Sequence, residues 1–180
     1  NGEYILFSQA DVRFGYQAIG RLFYAIDRFP HSIIQPLFFR DLKIDNAGMN
    51  WIWPGYGIGK RKIQKGSLIY EVDIATDITF IVSRQVIEMV GFYDKEFAPA
   101  YYEDADWALR SKILGVRHVV EGSAIVYHRH NESFGKIYKK KQISDICRKN
   151  RKYLIKKHYR GIDKWSRLAM LSFLDVAKKA

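Results

Sequence analysis

The chain has 180 residues, 30 Lys and Arg against 19 Asp and Glu, and a formal net charge of +11. That length is enough for one domain with a real core, and a composition 48% hydrophobic and 15% aromatic excludes a disordered tail or linker. A single cysteine, Cys147, excludes an internal disulfide and fits a reducing compartment.

The start, Asn1-Gly2-Glu3-Tyr4, has neither a basic leader nor a long apolar run, so it does not read as a signal peptide. A strand-like run follows at once and no Met precedes it, so the chain reads as cut from something longer. The charge is uneven. From Lys136 to Ala180, fifteen Lys and Arg face three acids, whereas the first 135 residues are close to neutral. The expected organisation is a neutral body, 1–135, and a basic helical extension, 136–180.

Tyr4 to Phe7 is a continuous apolar run and predicts a buried strand. Ile19, Leu22, Phe23 and Ile26 fall at helical spacing, which predicts an amphipathic helix over 15–29, stopped by Pro30. Ser32 to Phe39 reads as a strand, with Pro36 suggesting an edge or a break. Asp41 to Asn46 is turn-like, and the Gly- and Trp-rich stretch from Asn46 to Gly66 reads as a long loop. Thr79 to Val82 predicts a strand, and Gln85 to Val90 a short helix closed by Gly91. Glu103 to Leu114 predicts a helix capped by Gly115. Val119-Val120 and Ala124 to Tyr127 are strand candidates, Phe134-Gly135 opens a linker, and helices are expected over 137–159 and 163–178. Strands alternate with helices, so the class is α/β.

Glu103, Asp104 and Asp106 place three carboxylates in the first turn of one predicted helix. The helix dipole welcomes negative charge there, and that alone explains an acidic start. Crowding beside Tyr101 and Tyr102 supports a sharper reading: repulsion keeps one carboxylate basic enough to take a proton from a substrate hydroxyl. Asp11 follows the first strand, where an acid is often only a turn residue or cap. His128 ends the last strand, where a histidine is more often a structural hydrogen bonder than a ligand.

The order of motifs goes further. Gly91-Phe92-Tyr93-Asp94-Lys95-Glu96-Phe97 is followed by Tyr101-Tyr102-Glu103-Asp104-Ala105-Asp106, Arg110, Leu114-Gly115 and Val126-Tyr127-His128. This series is similar to family-two glycosyltransferases of the GT-A fold, in particular their rhamnosyltransferase-like branch. Arg148 to Tyr159 also resembles the segment that follows the catalytic motif in that family. The resemblance runs from about Asn1 to Tyr159 and is thinnest in the Trp-rich stretch. It implies a partial GT-A (nucleotide-diphospho-sugar transferase) fold, a mixed sheet flanked by helices, with basic C-terminal helices.

By that resemblance Asp104 is the catalytic base and Glu103 positions the acceptor, with Asp106 as a supporting acid and Tyr102 beside them on the substrate side. The family's Asp-x-Asp motif stands here as Gln9-Ala10-Asp11. Asp11 and His128 are therefore the expected ligands of a divalent metal, Mn2+ or Mg2+, with a neutral amide at Gln9 where an acid is usual. Arg129 is expected to contact the donor diphosphate, and His130 is secondary. Trp51, Trp53 and Tyr56 either stack on a sugar ring or anchor a loop. Asp77 departs from the family pattern and either touches the donor sugar or caps a turn.

The expected partners are a nucleotide-sugar donor, a glycan or lipid-linked acceptor and the surface of an anionic membrane. The expected location is cytoplasmic, peripheral on the inner face of the cell membrane. The nucleoside-binding part of such an enzyme is not recognisable, so this stretch alone is expected to be inactive. A non-catalytic carbohydrate-binding or assembly module with the same fold is the alternative. A nucleic-acid binder acting through the tail is a weaker one, because no recognition motif accompanies the charge.

Overall fold

The computed structural model describes residues 2–129 and 137–177. The expected linker at Phe134-Gly135 and the secondary His130 lie outside the described residues. In chain order the elements are β1 (Tyr4–Ser8), β2 (Val12–Phe14), α1 (Ala18–Arg28), β3 (Ser32–Arg40), β4 (Lys43–Asn46), β5 (Met49–Ile52), β6 (Tyr56–Gly59), β7 (Ile69–Glu71), β8 (Thr79–Ser83), α2 (Arg84–Val90), α3 (Glu103–Ile113), β9 (Arg117–His128), α4 (Lys140–His158) and α5 (Gly161–Ala177).

The main sheet runs β1-β8-β3-β9-β2, with β4 added to β3 and β7 to β9. β3 and β9 are parallel and the other pairs antiparallel, so the sheet is mixed, as expected. Alternation along the strands supplies two apolar faces. On one, Ile33, Phe80 and Val82 meet Val86, Ile87 and Val90 of α2 and Trp107 of α3. On the other, Ile34, Ile81, Val119 and Ala124 receive Leu22, Ala25 and Ile26 of α1. Ile19 and Phe23, expected on the buried stripe of α1, are largely exposed. Ala18 and Ala25, small enough for close approach to the sheet, take the buried positions instead.

Several sequence expectations change. Pro36 suggested an edge or a break, yet β3 is an interior strand between β8 and β9. Its register against β9 shifts between Pro36 and Leu37, a bulge that absorbs the missing N–H. The two short strand candidates after α3 are one twelve-residue strand, β9. The expected loop over 46–66 contains the β5–β6 hairpin, which forms its own two-stranded sheet.

That hairpin leans on α4. Arg151 places its guanidinium 4.2 Å above the Tyr56 ring, and Trp51 Nε1 donates to the Tyr159 hydroxyl at 2.8 Å. α4 in turn buries Leu154 with Ile74, Phe97, Ala105 and Ala108. α4 therefore packs against the neutral body.

Gly48 shows how closely the hairpin is fitted. Its φ of 88° lies in the left-handed region, and a Cβ there would overlap the Val72 side chain. Gly48→Ala is expected to cost about 1–3 kcal/mol of unfolding free energy through strain and overpacking. Urea unfolding measures this, and an unchanged midpoint would show that Val72 yields freely.

Candidate functional site

Strands β3 and β9 end together, β1 ends beside them, and the antiparallel β8 and β2 begin there. In α/β sheets the carboxyl ends of parallel strands are where ligands sit. Two groups of polar residues gather at this end.

The first comes from the β2–β9 pairing. Val12 faces His128, and Arg129 N donates to Asp11 O at 3.1 Å. This register brings Asp11 Oδ2 to 3.5 Å from Nε2 of the buried His128. The side chain of Gln9 is exposed in the preceding turn. Beside His128, a groove of about 410 Å3 is lined by Arg13, Phe39, Arg40, Tyr127 and the exposed Arg129. Arg13 stacks on Tyr127 at 5.0 Å, and Arg40 lies 3.7 Å from Asp45.

The second group is reached through one backbone bond. Gln9 N donates to Ile78 O at 2.9 Å, and the residue before Ile78 is Asp77. Asp77, Glu103 and Asp104 lie close enough to shift one another's ionisation. Burial, then the carboxylates of Asp77 and Glu103, push Asp104 well above the usual carboxylate range. Burial and Asp77 push Glu103 up to about 7, and burial raises Asp77 itself. Tyr93 completes the cluster, its hydroxyl raised by burial and then by the three carboxylates. The start of α3 favours ionised carboxylates by ~0.3–1 kcal/mol. The shifts run upward, so burial and mutual repulsion outweigh that dipole.

A strained turn presents these acids. Tyr101 and Tyr102 both have positive φ, 74° and 76°, and α3 has no side-chain N-cap. Left-handed conformations cost non-glycine residues roughly 1–2 kcal/mol each. Asn150 of α4 holds the turn, its Nδ2 donating to the carbonyls of Phe97 at 2.7 Å and of Ala100 and Tyr101 at 2.9 Å each.

Asp106, expected as a supporting acid on the substrate side, is wholly buried and points inward from α3. Arg110 Nε lies 2.9 Å away, and Lys157 Nζ and His158 Nε2 each 2.7 Å. Burial alone would raise its carboxyl, but these hydrogen bonds outweigh it and hold the group at about 2. Asp106 therefore anchors α3 to α4 and has no face left for a ligand.

The other expected residues divide. Trp51 is half-buried and its indole N–H donates to the Tyr159 hydroxyl. Trp53 is 48% exposed. Tyr102 is half-buried and packs against the cluster of Phe97 and Leu154, its hydroxyl pushed up to about 12 chiefly by burial. Sequence reasoning missed Tyr93 as a member of the acidic cluster, and it missed Asn150, Lys157 and His158 as supports. The last three lie in the Arg148–Tyr159 segment, for which the resemblance implies no role.

No family model matches the chain, and no curated protein matches it by sequence. Among solved structures the fold is similar to that of GalNAc-T7, in a crystal structure with UDP, GalNAc and Mn2+. The TM-score is 0.59 and the identity 14%, and the match covers 71% of this chain but only 27% of that one. The likeness shows the fold alone, a mixed α/β arrangement of the GT-A glycosyltransferase type.

The raised acids have a consequence for stability. Folded Glu103 binds its proton up to about 7, against 4.5 when unfolded. Its contribution to stability is therefore best below 4.5 and declines as pH rises through about 7. Asp106 has the opposite sign: its contribution is present above 3.8 and is lost as pH falls through about 2. Glu103→Gln is expected to raise the thermal midpoint at pH 8 and flatten its fall between pH 4.5 and 7. Thermal unfolding across that range checks this, and an unaltered pH profile would show that Glu103 ionises as it does in water.

Proposed function

We propose that this chain works in an inverting glycosyltransferase that moves a sugar from a nucleotide-diphosphate donor to a glycan or lipid-linked acceptor. Its place would be cell-envelope polysaccharide assembly on the cytoplasmic side of the membrane. The observation that carries this reading is the gathering of Asp77, Glu103 and Asp104 at the same end of a GT-A-like sheet as the Asp11–His128 pair, where an ionised Asp104 would serve as the base.

Asp104 takes the proton of an acceptor hydroxyl. The oxygen attacks the anomeric carbon on the side opposite the nucleoside diphosphate. The bond from that carbon to the diphosphate oxygen breaks, the configuration inverts, and the proton stays on Asp104. Glu103 orients the acceptor by accepting a second hydroxyl. Asp77, pressed against both acids, raises the basicity of Asp104 and borders the donor sugar. Trp53 offers a stacking surface for a sugar ring, and Arg129 contacts the diphosphate.

A divalent cation fits Asp11 and His128. One carboxylate oxygen and one imidazole nitrogen converge at 3.5 Å, a mixed set that suits Mn2+ better than Mg2+. Asp11 and His128 would hold the cation, with the Gln9 amide as the only neutral oxygen the motif would offer, and among the described residues no group of three His, Cys, Asp or Glu could hold a metal. The remaining coordination then falls to diphosphate and water. When bound, the cation neutralises charge on the departing diphosphate.

Gln9, an exposed amide in place of an acid, favours a second reading, a non-catalytic carbohydrate-binding module. One pair of measurements separates the two. In the natural polypeptide that contains these residues, Mn2+-dependent binding of a nucleoside diphosphate and sugar transfer are expected together. Asp104→Asn is expected to lower kcat roughly a hundredfold or more while leaving donor binding intact. Transfer by that variant at the parent rate removes the assigned base. Glycan binding without any transfer selects the second reading.

A further inference from the structure

Helix α5 carries an apolar stripe that nothing among the described residues covers. Ile162, Trp165 and Phe173 are 88%, 66% and 67% exposed, and the exposed Ala169 lies between them. Their spacings of three, four and four residues put them on one side of the helix. The opposite side is tied to α4. Leu171 is wholly buried, and Asp175 reaches Arg148 at 3.6 Å, Arg151 at 3.8 Å and Lys152 at 3.4 Å. Arg167 stacks over Tyr159 at 4.0 Å. α5 is thus held in place with its apolar side outward.

We infer that this stripe lies on the surface of an anionic bilayer, parallel to it, with Ile162, Trp165 and Phe173 in the boundary between headgroups and acyl chains. Three observations select that occupant. The segment from Lys136 onward holds fifteen Lys and Arg against three acids. Lys139, Lys140, Lys141, Lys149, Lys156 and Arg160 on and beside α4 are exposed, which is the charge that draws a peripheral helix to anionic lipid. Trp165 sits in the stripe with Lys164 Nζ 4.9 Å above its ring, a pairing suited to the headgroup layer. A second copy is disfavoured, because each copy would bring the same positive segment to the contact. Among the described residues no helix is long and apolar enough to cross a membrane, so α5 rests on the bilayer rather than spanning it.

This inference does not depend on sugar transfer. The test is sedimentation of the 180-residue chain with vesicles of pure phosphatidylcholine and of phosphatidylcholine with one-third phosphatidylglycerol. Binding to the anionic vesicles alone, weakened by 0.5 M salt, is expected. The triple variant Ile162→Ser, Trp165→Ser, Phe173→Ser is expected to bind at least roughly tenfold more weakly. Its side chains are exposed, so its circular dichroism should match the parent. A second variant, Lys149→Glu with Lys156→Glu, is expected to weaken binding with the stripe intact. No binding to anionic vesicles, or undiminished binding by the triple variant, overturns the inference. A parent dimer in light scattering that the triple variant abolishes also overturns it and assigns the stripe to a second copy.

Discussion

The site depends on a charge that water never touches. Asp106 is ionised inside the protein, and it stays so because Arg110, Lys157 and His158 all reach it within 2.9 Å. Removing one partner from a buried ion pair costs on the order of 3–5 kcal/mol, since the group left behind cannot be hydrated. The cluster therefore fixes α3 against α4 beside the apolar contacts around Leu154. It also settles which carboxylates in the first turn of α3 remain free. Asp106 is consumed as an anchor, and Glu103 and Asp104 are left to face Asp77.

Those free acids occupy an unfavourable place, and the surrounding structure sustains it. Burial and like charge raise them, and the turn that delivers them holds two tyrosines in left-handed conformations. Backbone strain and perturbed ionisation cluster where proteins do chemistry. The compensation comes from α4, through the three carbonyls bonded to Asn150 and the two side chains beside Asp106. The basic helix that looks like an appendage in the sequence thus carries the rear wall of the acidic cluster.

Much of this was legible in the sequence. The apolar run at Tyr4–Phe7, the Gly91 end of α2 and the helix starting at Glu103 followed from local pattern, because capping and periodicity act over a few residues. The Glu103-Asp104 pair stood out through motif order. What stayed hidden is long-range. Asp106 and His158 are 52 positions apart, and nothing local tells an acid that will be buried from one that will face a ligand. Pro36 pointed to an edge because its missing N–H is a local fact, whereas the bulge that accommodates it belongs to the partner strand. The β5–β6 hairpin was obscured because its glycines dilute the alternation that marks a strand, and its support comes from Arg151 and Tyr159, a hundred residues on.

The two outermost strands of the main sheet are unlike each other. β2 is three residues long and carries Arg13 in its middle, a charge that discourages further pairing. β1 is five residues long, Tyr-Ile-Leu-Phe-Ser, with no charge and no proline, and its outer row of amide and carbonyl groups meets no strand among the described residues. Lateral growth of the sheet is thus polarised: the β1 border is adhesive and the β2 border is guarded. Any further strand joining this sheet would therefore add along Tyr4–Phe7 rather than beside Arg13.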